Sequence, residues 1–149
     1  MLQKLRQRSQ SEAGFTLVEL LVVMLIIGLL AAIAIPAFFN QRDKAKDASA
    51  KEAVRTAQTA IETYSTDNNG SYAGAAIGAA VDNLNVIEPT LNDVGARATV
   101  VSNANSYTVE VDSTFAGNSF RITRAADGSS DYTCDVAAKG GCPSTGIWN

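Results

Sequence analysis

Residues 14–36 read GFTLVELLVVMLIIGLLAAIAIP, and the reading of this stretch decides the rest of the chain. From Phe15 to Ile35 only Thr16 and Glu19 are polar. As a helix rising 1.5 Å per residue, the run is long enough to cross a hydrocarbon core about 30 Å thick. Glu19 is the anomaly. A charge at the centre of a membrane helix costs roughly 2.5–3.5 kcal/mol on insertion scales, and intramembrane carboxylates are functional candidates by default. Such a charge needs a partner.

The flanks of the run set its orientation. Residues 1–14, MLQKLRQRSQSEAG, are polar without periodicity and carry Lys4, Arg6 and Arg8 against Glu12, a net +2. They read as a cytoplasmic leader whose basic charge places the N-terminus inside and the C-terminus outside. Arg42, Lys44 and Lys46 on the far side oppose that bias; the cysteines, below, support it. The whole chain of 149 residues is formally −3, so the part beyond the leader is −5, a poor balance for a stand-alone nucleic-acid binder.

The chain contains no histidine, which removes Ser-His-Asp and Cys-His catalysis, the two-His zinc motifs and the usual near-neutral base. Ser129 and Ser130 have no base beside them, so nucleophilic chemistry is not supported. The two cysteines, Cys134 and Cys142, flank DVAAKGG near the C-terminus, too few ligands for zinc. A disulfide is expected, contributing roughly 2–3 kcal/mol on the chain-entropy model and placing this end in an oxidising compartment. The alternative is two free buried thiols.

Pro36 lacks an N–H and crowds the preceding turn, so it ends or kinks the apolar helix. Beyond it Ala50, Ala53, Val54, Ala57, Ala60, Ile61 and Tyr64 recur at three- and four-residue steps, opposite Lys51, Glu52, Arg55 and Glu62. That pattern is an amphipathic helix, stopped by TDNNG at 66–70. One long kinked helix from about residue 15 to 65 is expected. After it, VDNLNVIEPTLND suggests a short helix ended by Pro89. The period then changes to two in ATVVS, SYTVEVDS, NSFRITRA and, more weakly, DYTCDV. Three or four antiparallel strands fit, with Tyr107, Val109, Val111, Phe120 and Ile122 on an apolar face that the helix stripe can cover. The fold class is α+β.

An ordinary secretory signal would also begin with a basic leader and an apolar run, and Ala32-Ile33-Ala34 offers a cleavage site. Its product, starting near Ile35, would discard Glu19. A plain anchor carrying a binding domain that never polymerises is the other competing reading, with Glu19 hydrated near the interface.

The run Gly14-Phe15-Thr16-Leu17-Val18-Glu19, its apolar tail and Pro36 resemble the class III signal of type IV pilins and pseudopilins. The resemblance covers about the first 70 residues, including YSTDNNGSY, and the cysteine-flanked C-terminus more loosely. It implies self-assembly instead of catalysis. A prepilin peptidase and methyltransferase would cut after Gly14 and methylate Phe15, and Glu19 would meet the amine of Phe15 in a neighbouring subunit. In a low-dielectric bundle a paired carboxylate is largely compensated and a lone one is costly, so correct axial register is rewarded. Small residues such as Gly28, Ala31, Ala32 and Ala34 permit close helix approach, and Gly28 and Pro36 bracket a segment suited to kinking or unwinding.

The implied organisation is a leader, 1–14; a membrane and assembly segment, 15–36; and an extracytoplasmic domain, 37–149, comprising 37–65, 66–97 and 98–149. The implied partners are further copies in a helical homopolymer, the processing enzyme, a pilus assembly platform with its ATPase machinery, and cytoplasmic-membrane lipids before assembly, with an extracellular fibre as the end product. A major pseudopilin of a secretion or competence system shares the N-terminal half and is the runner-up. Major pseudopilins of type II secretion carry calcium, but Asp127, Asp131 and Asp135 do not match an EF-hand spacing and read as a solvated turn. No metal, cofactor or catalytic residue is assigned. The sequon Asn69-Gly70-Ser71 is read as part of the helix stop.

Overall fold

The computed structural model describes residues 14–78, 83–114 and 117–149, so the leader reading falls, apart from Gly14, outside the described residues. Helix α1 spans Leu17–Asp67 and continues through Pro36. A short helix α2, Asn83–Ile87, precedes 3-10 turns at Pro89–Asp93 and Gly95–Arg97. Four strands follow: β1, Ala98–Ser102; β2, Tyr107–Asp112; β3, Ser119–Arg124; and β4, Ser130–Cys134. They form one antiparallel meander in the order β1-β2-β3-β4. The chain divides into two compact units, the first ending at Phe39 and the second running Asn40–Asn149.

In the first unit every large apolar side chain from Phe15 to Phe39 is exposed. Their exposure runs from 46% at Val23 to 78% at Phe15. A helix apolar on all sides has no solvent face, so this segment requires a covering from outside its own chain.

The second unit has an ordinary core. Ala50, Val54, Ala57, Ala60 and Ile61 of α1 join Tyr107, Val109, Val111, Phe120 and Ile122 of the sheet in one buried cluster, with Leu84 and Leu91 from the connecting segment. Small residues on the helix stripe let it lie close against bulky strand side chains, which is why the stripe is narrow and alanine-rich. Period-two patterning carries the sheet: Val109 is opposite Val100 and Ile122, and Val111 is opposite Phe120. The outer face is polar, with Arg121 donating to Glu110 at 2.7 Å. The helix ends as TDNNG implies: Asn69 and Gly70 take positive φ of 56° and 83°, and the Gly70 N–H returns to the Ser65 carbonyl at 2.7 Å.

Two residues depart from the sequence reading, which placed Lys51 and Glu62 on the face opposite the core. Glu62 accepts hydrogen bonds from Tyr72 and Tyr107, each at 2.9 Å, and Arg124 approaches it at 3.5 Å. Lys51 donates to the Gly141 carbonyl at 2.6 Å and lies over the Phe120 and Trp148 rings. Both sit at the border of the buried stripe, where long side chains reach partners brought in by the sheet and the C-terminal segment.

Burial, and then the hydrogen bond to Glu62, raise the Tyr107 phenol above its ordinary value of 10.0. The unfolded chain loses this proton from about pH 10 while the folded chain keeps it. Stability present below pH 10 is therefore lost as pH rises further, by up to about 1.4 kcal/mol per pH unit. Thermal melting from pH 8 to 11 should show a steeper alkaline decline for the unaltered chain than for Tyr107→Phe; equal slopes contradict the assignment.

Candidate functional site

The N-terminal end of α1 is built by four residues. Thr16 precedes the first helical residue, and its hydroxyl accepts from the Glu19 N–H at 3.2 Å. The Glu19 carboxylate accepts in return from the Thr16 N–H and hydroxyl, both at 2.9 Å through Oε2. This reciprocal pair is a capping box, which satisfies two of the amide donors that a helix start leaves orphaned and sets a negative charge at the positive end of the helix dipole. Thr16-Leu17-Val18-Glu19 has the spacing of that motif. The sequence therefore held a local partner for Glu19 that the reading of its charge overlooked.

Gly14 and Phe15 precede the cap and are exposed. A Cβ placed on Gly14 would meet no atom within 4 Å, and the same holds at Gly28. The chain's own packing thus demands glycine at neither position. Pro36 lies within α1, in a stretch long and apolar enough to cross a membrane. Gly14, Phe15, Thr16 and Glu19 come together at one exposed helix end.

Cys134 and Cys142 belong to a different feature. They are joined as a disulfide with their Cα atoms 5.9 Å apart, closing a loop after β4. The loop is held to α1 by Asp47, which is fully buried. Its Oδ2 accepts from the Gly141 N–H at 2.7 Å and from Asn118 Nδ2 at 2.8 Å, while Oδ1 has no hydrogen-bond partner. Gly140 passes this carboxylate at φ 59°, and a Cβ there would collide with it, so both conformation and space require glycine. The tail then returns along the sheet: Ile147 bridges Thr133, and Trp148 donates from Nε1 to the Thr133 carbonyl at 2.7 Å. Neither Asp47 nor Trp148 was singled out by sequence, because an aspartate on a helix reads as solvated until its partners, 71 and 94 residues away, are known.

The three aspartates near the Gly-Ser turn do not converge. Asp127 accepts from the Ser129 N–H and hydroxyl, at 2.9 and 2.7 Å, and these bonds lower its pKa. Asp135 instead faces Arg121 at 3.5 Å.

Residues 9–35 match the family described as the prokaryotic N-terminal methylation motif. Over 62 residues the chain is 40% identical to type II secretion system core protein G of Pseudomonas aeruginosa, covering 42% of this chain and 43% of that one. It is 41% identical over 56 residues to the type IV major pilin protein PilA of Myxococcus xanthus, covering 38% and 26%. It is 34% identical over 58 residues to the competence protein ComGC of Halalkalibacterium halodurans, covering 39% and 57%. The similarity spans less than half the length of the secretion and pilin relatives. No solved structure matches the chain. The chain thus carries a prepilin-type N-terminus, and its homologues are pilin-like proteins.

Removing the Asp47 carboxylate strands two donors, each costing about 1–3 kcal/mol where buried. Asp47→Ala should therefore lower the denaturation midpoint of the disulfide-closed protein clearly more than Asp47→Asn, whose amide oxygen still accepts. Equal midpoints for Asp47→Ala and the unaltered chain in urea denaturation would contradict this.

Proposed function

We propose that this chain is a subunit of a type IV pilus, inserted in the cytoplasmic membrane by its apolar helix and then polymerised through that helix into a surface filament. The observation that carries the reading is a prepilin-type motif at the open end of a helix whose apolar surface is uncovered on every side. Lipid covers that surface before assembly and neighbouring helices cover it afterwards. A contact repeated head to tail closes into a ring or, where its rotation does not close, grows as a helical filament.

On this reading a prepilin peptidase cuts after Gly14, and the new amino terminus of Phe15 is methylated. The lack of any packing demand for glycine at 14 fits a residue required by an enzyme instead of by the fold. Glu19 of one subunit meets the Phe15 amine of the next, Gly28 lets helices approach closely, and Pro36 and Gly28 mark where α1 bends or loosens in the fibre. The boundaries 1–14, 15–36 and 37–149 are leader, assembly segment and extracytoplasmic domain. The assembly platform and its ATPase are further partners, and the disulfide suits an oxidising exterior.

The similarity to core protein G of type II secretion favours a second reading, a major pseudopilin of a secretion or competence machine. The two share processing and the assembly contact and differ in where the fibre is found. Shearing cells and probing the fibres for this chain separates them: a pilus subunit is the main component of long surface fibres, and a pseudopilin is not.

Mass spectrometry of the membrane-bound protein should find a mature chain beginning at N-methylated Phe15. A start at Ile35, or an intact leader in assembled material, would sink both readings.

Because the structure gives Glu19 a capping role, two substitutions divide the cap from the charge. Thr16→Ala removes the two hydrogen bonds of the Thr16 hydroxyl at a cost of about 1 kcal/mol but leaves the carboxylate and the backbone N–H that donates to it, and fibres should still form. Glu19→Gln keeps a side chain that serves in a capping box yet removes the charge, and sheared fibre should fall at least tenfold while processed membrane subunit persists; stranding a buried charge costs about 3–5 kcal/mol. The opposite ranking would make Glu19 a helix cap and nothing more.

A further inference from the structure

The second unit opens at Asn40, directly after the apolar segment, and its first cations, Arg42, Lys44 and Lys46, follow at once. They work against orientation: Lys4, Arg6 and Arg8 precede the apolar run and an equal number follow it, whereas the positive-inside bias favours basic residues on the cytoplasmic side. The structure sets the same three apart. Among the described residues every other cation has a partner: Lys51 donates to the Gly141 carbonyl and Arg97 to that of Asp112, Arg55 lies over the Trp148 ring, Arg121 and Arg124 face carboxylates, and Lys139 is engaged as well. Arg42, Lys44 and Lys46 enter none of these ion pairs, although Asp43 lies between two of them; Arg42 and Lys44 are exposed and Lys46 is half-buried. Asp47, the next acid, is committed to Gly141 and Asn118.

Resting on the membrane stage of the reading above, we infer that Arg42, Lys44 and Lys46 form a basic collar that binds the headgroup phosphates of anionic phospholipids at the exterior face of the cytoplasmic membrane. Charge complementarity is the first argument, since three cations without a partner in their own chain stand together where the apolar run ends. Position is the second. Residues 20–39 are apolar without interruption, and a helix of that length matches a hydrocarbon core of about 30 Å. The helical residues from Phe39 to Lys46 add at most about 10.5 Å, and long basic side chains reach back toward the interface, so the three cations meet a headgroup layer about 5–8 Å deep. Arrangement is the third. At 100° per residue Lys46 lies about 40° from Arg42 and Lys44 about 160° from it. Charge spread around the helix suits a layer of phosphates on several sides better than one patch on a single protein neighbour.

The collar differs in kind from the Glu19 pair, because it acts before assembly and on lipid. Removal of the leader takes away Lys4, Arg6 and Arg8, so the mature chain is tethered by its exterior side alone and its depth is fixed there. Each basic residue near an anionic surface raises association about fivefold, and the effect fades within a Debye length. The contact is given up when the helix leaves the lipid for the fibre.

The test uses the processed, disulfide-closed chain with a fluorescent donor on Ala45→Cys, an exposed position, reconstituted at high dilution in phosphatidylcholine vesicles. Tracer lipids carry the same acceptor on their tails and differ only in headgroup, phosphatidylglycerol or phosphatidylcholine, so energy transfer reports which of them gathers at the collar. Phosphatidylglycerol should be preferred at least about tenfold. The preference should fall to within about twofold of unity when Arg42→Gln, Lys44→Gln and Lys46→Gln are combined, and likewise in 1 M salt, where the screening length is about 3 Å. It should persist when Arg42→Lys, Lys44→Arg and Lys46→Arg are combined, and in millimolar inorganic phosphate. Four results would overturn the collar while leaving the filament reading in place: no preference with the three cations intact, a preference kept by the glutamine variant, loss to inorganic phosphate, which assigns the cations to a free ion, or a preference seen only at protein densities where copies associate, which assigns them to a second copy. Absence of the unaltered chain from the membrane fraction of cells would overturn both.

Discussion

Twenty-odd residues of helix with no covered side are the constraint on which the rest depends. Burial of apolar surface drives folding and association at roughly 25 cal/mol per Å², so a segment exposed on every side is stable only inside something else. The second unit already has a closed core, in which the inner faces of α1 and the sheet are used up. The first unit must therefore find its solvent outside the chain: first in lipid and, on the proposed reading, then in other copies. The change of surroundings also explains why a helix can combine an apolar stretch with an alanine stripe. One half is suited to exchange between coverings, the other to a permanent one.

On the proposed reading the second unit bears the opposite requirement, since it must remain folded while the helix exchanges partners. Its ties to α1 are polar as well as apolar. Glu62 gathers two tyrosine hydroxyls, and Asp47 gathers the disulfide loop and Asn118. Hydrogen bonds of this kind add modest net stability but specify one arrangement strongly, because breaking any of them leaves a buried group unpaired. They fix the sheet and the loop on one particular side of the helix.

How much of this could be read from residues alone depends on a physical division. The four strands, the buried positions Tyr107, Val109, Val111, Phe120 and Ile122, the helix stop at Asn69-Gly70 and the cysteine pair were all legible, since each rests on local periodicity or on residue chemistry. Asp47, Lys51 and Glu62 were not. A helical wheel ranks side chains by hydropathy, and it assigns a charged residue to solvent unless a distant partner compensates it. Those partners lie on the sheet and the C-terminal loop, which no local pattern of α1 reports. The 3-10 turns after Glu88 were likewise hidden, because Pro89 signals where the preceding helix stops and carries no information about the conformation of the residues beyond it. The cap at Thr16 is a different case: its motif was present, and attention to the charge of Glu19 obscured it.

That cap bears on how the proposed assembly contact would operate. Before assembly the Glu19 carboxylate is held by Thr16, so it is neither unpaired nor free to wander, and the cost of carrying it at the end of an apolar helix is reduced. The bonds from Thr16 are already charge-assisted on the carboxylate side; a neighbouring ammonium would add the attraction of a full opposite charge, which the low dielectric of a helix bundle enlarges. Thr16 uses only Oε2, so an incoming amine can engage Oε1 before any capping bond is broken. The two partners need not compete at the moment of encounter, and the carboxylate is already oriented when the second arrives. Pre-orientation of this sort lowers the entropy lost on association. On the proposed reading, a charge that looked like a defect in a membrane helix is thereby made tolerable in the single subunit and favourable in the polymer.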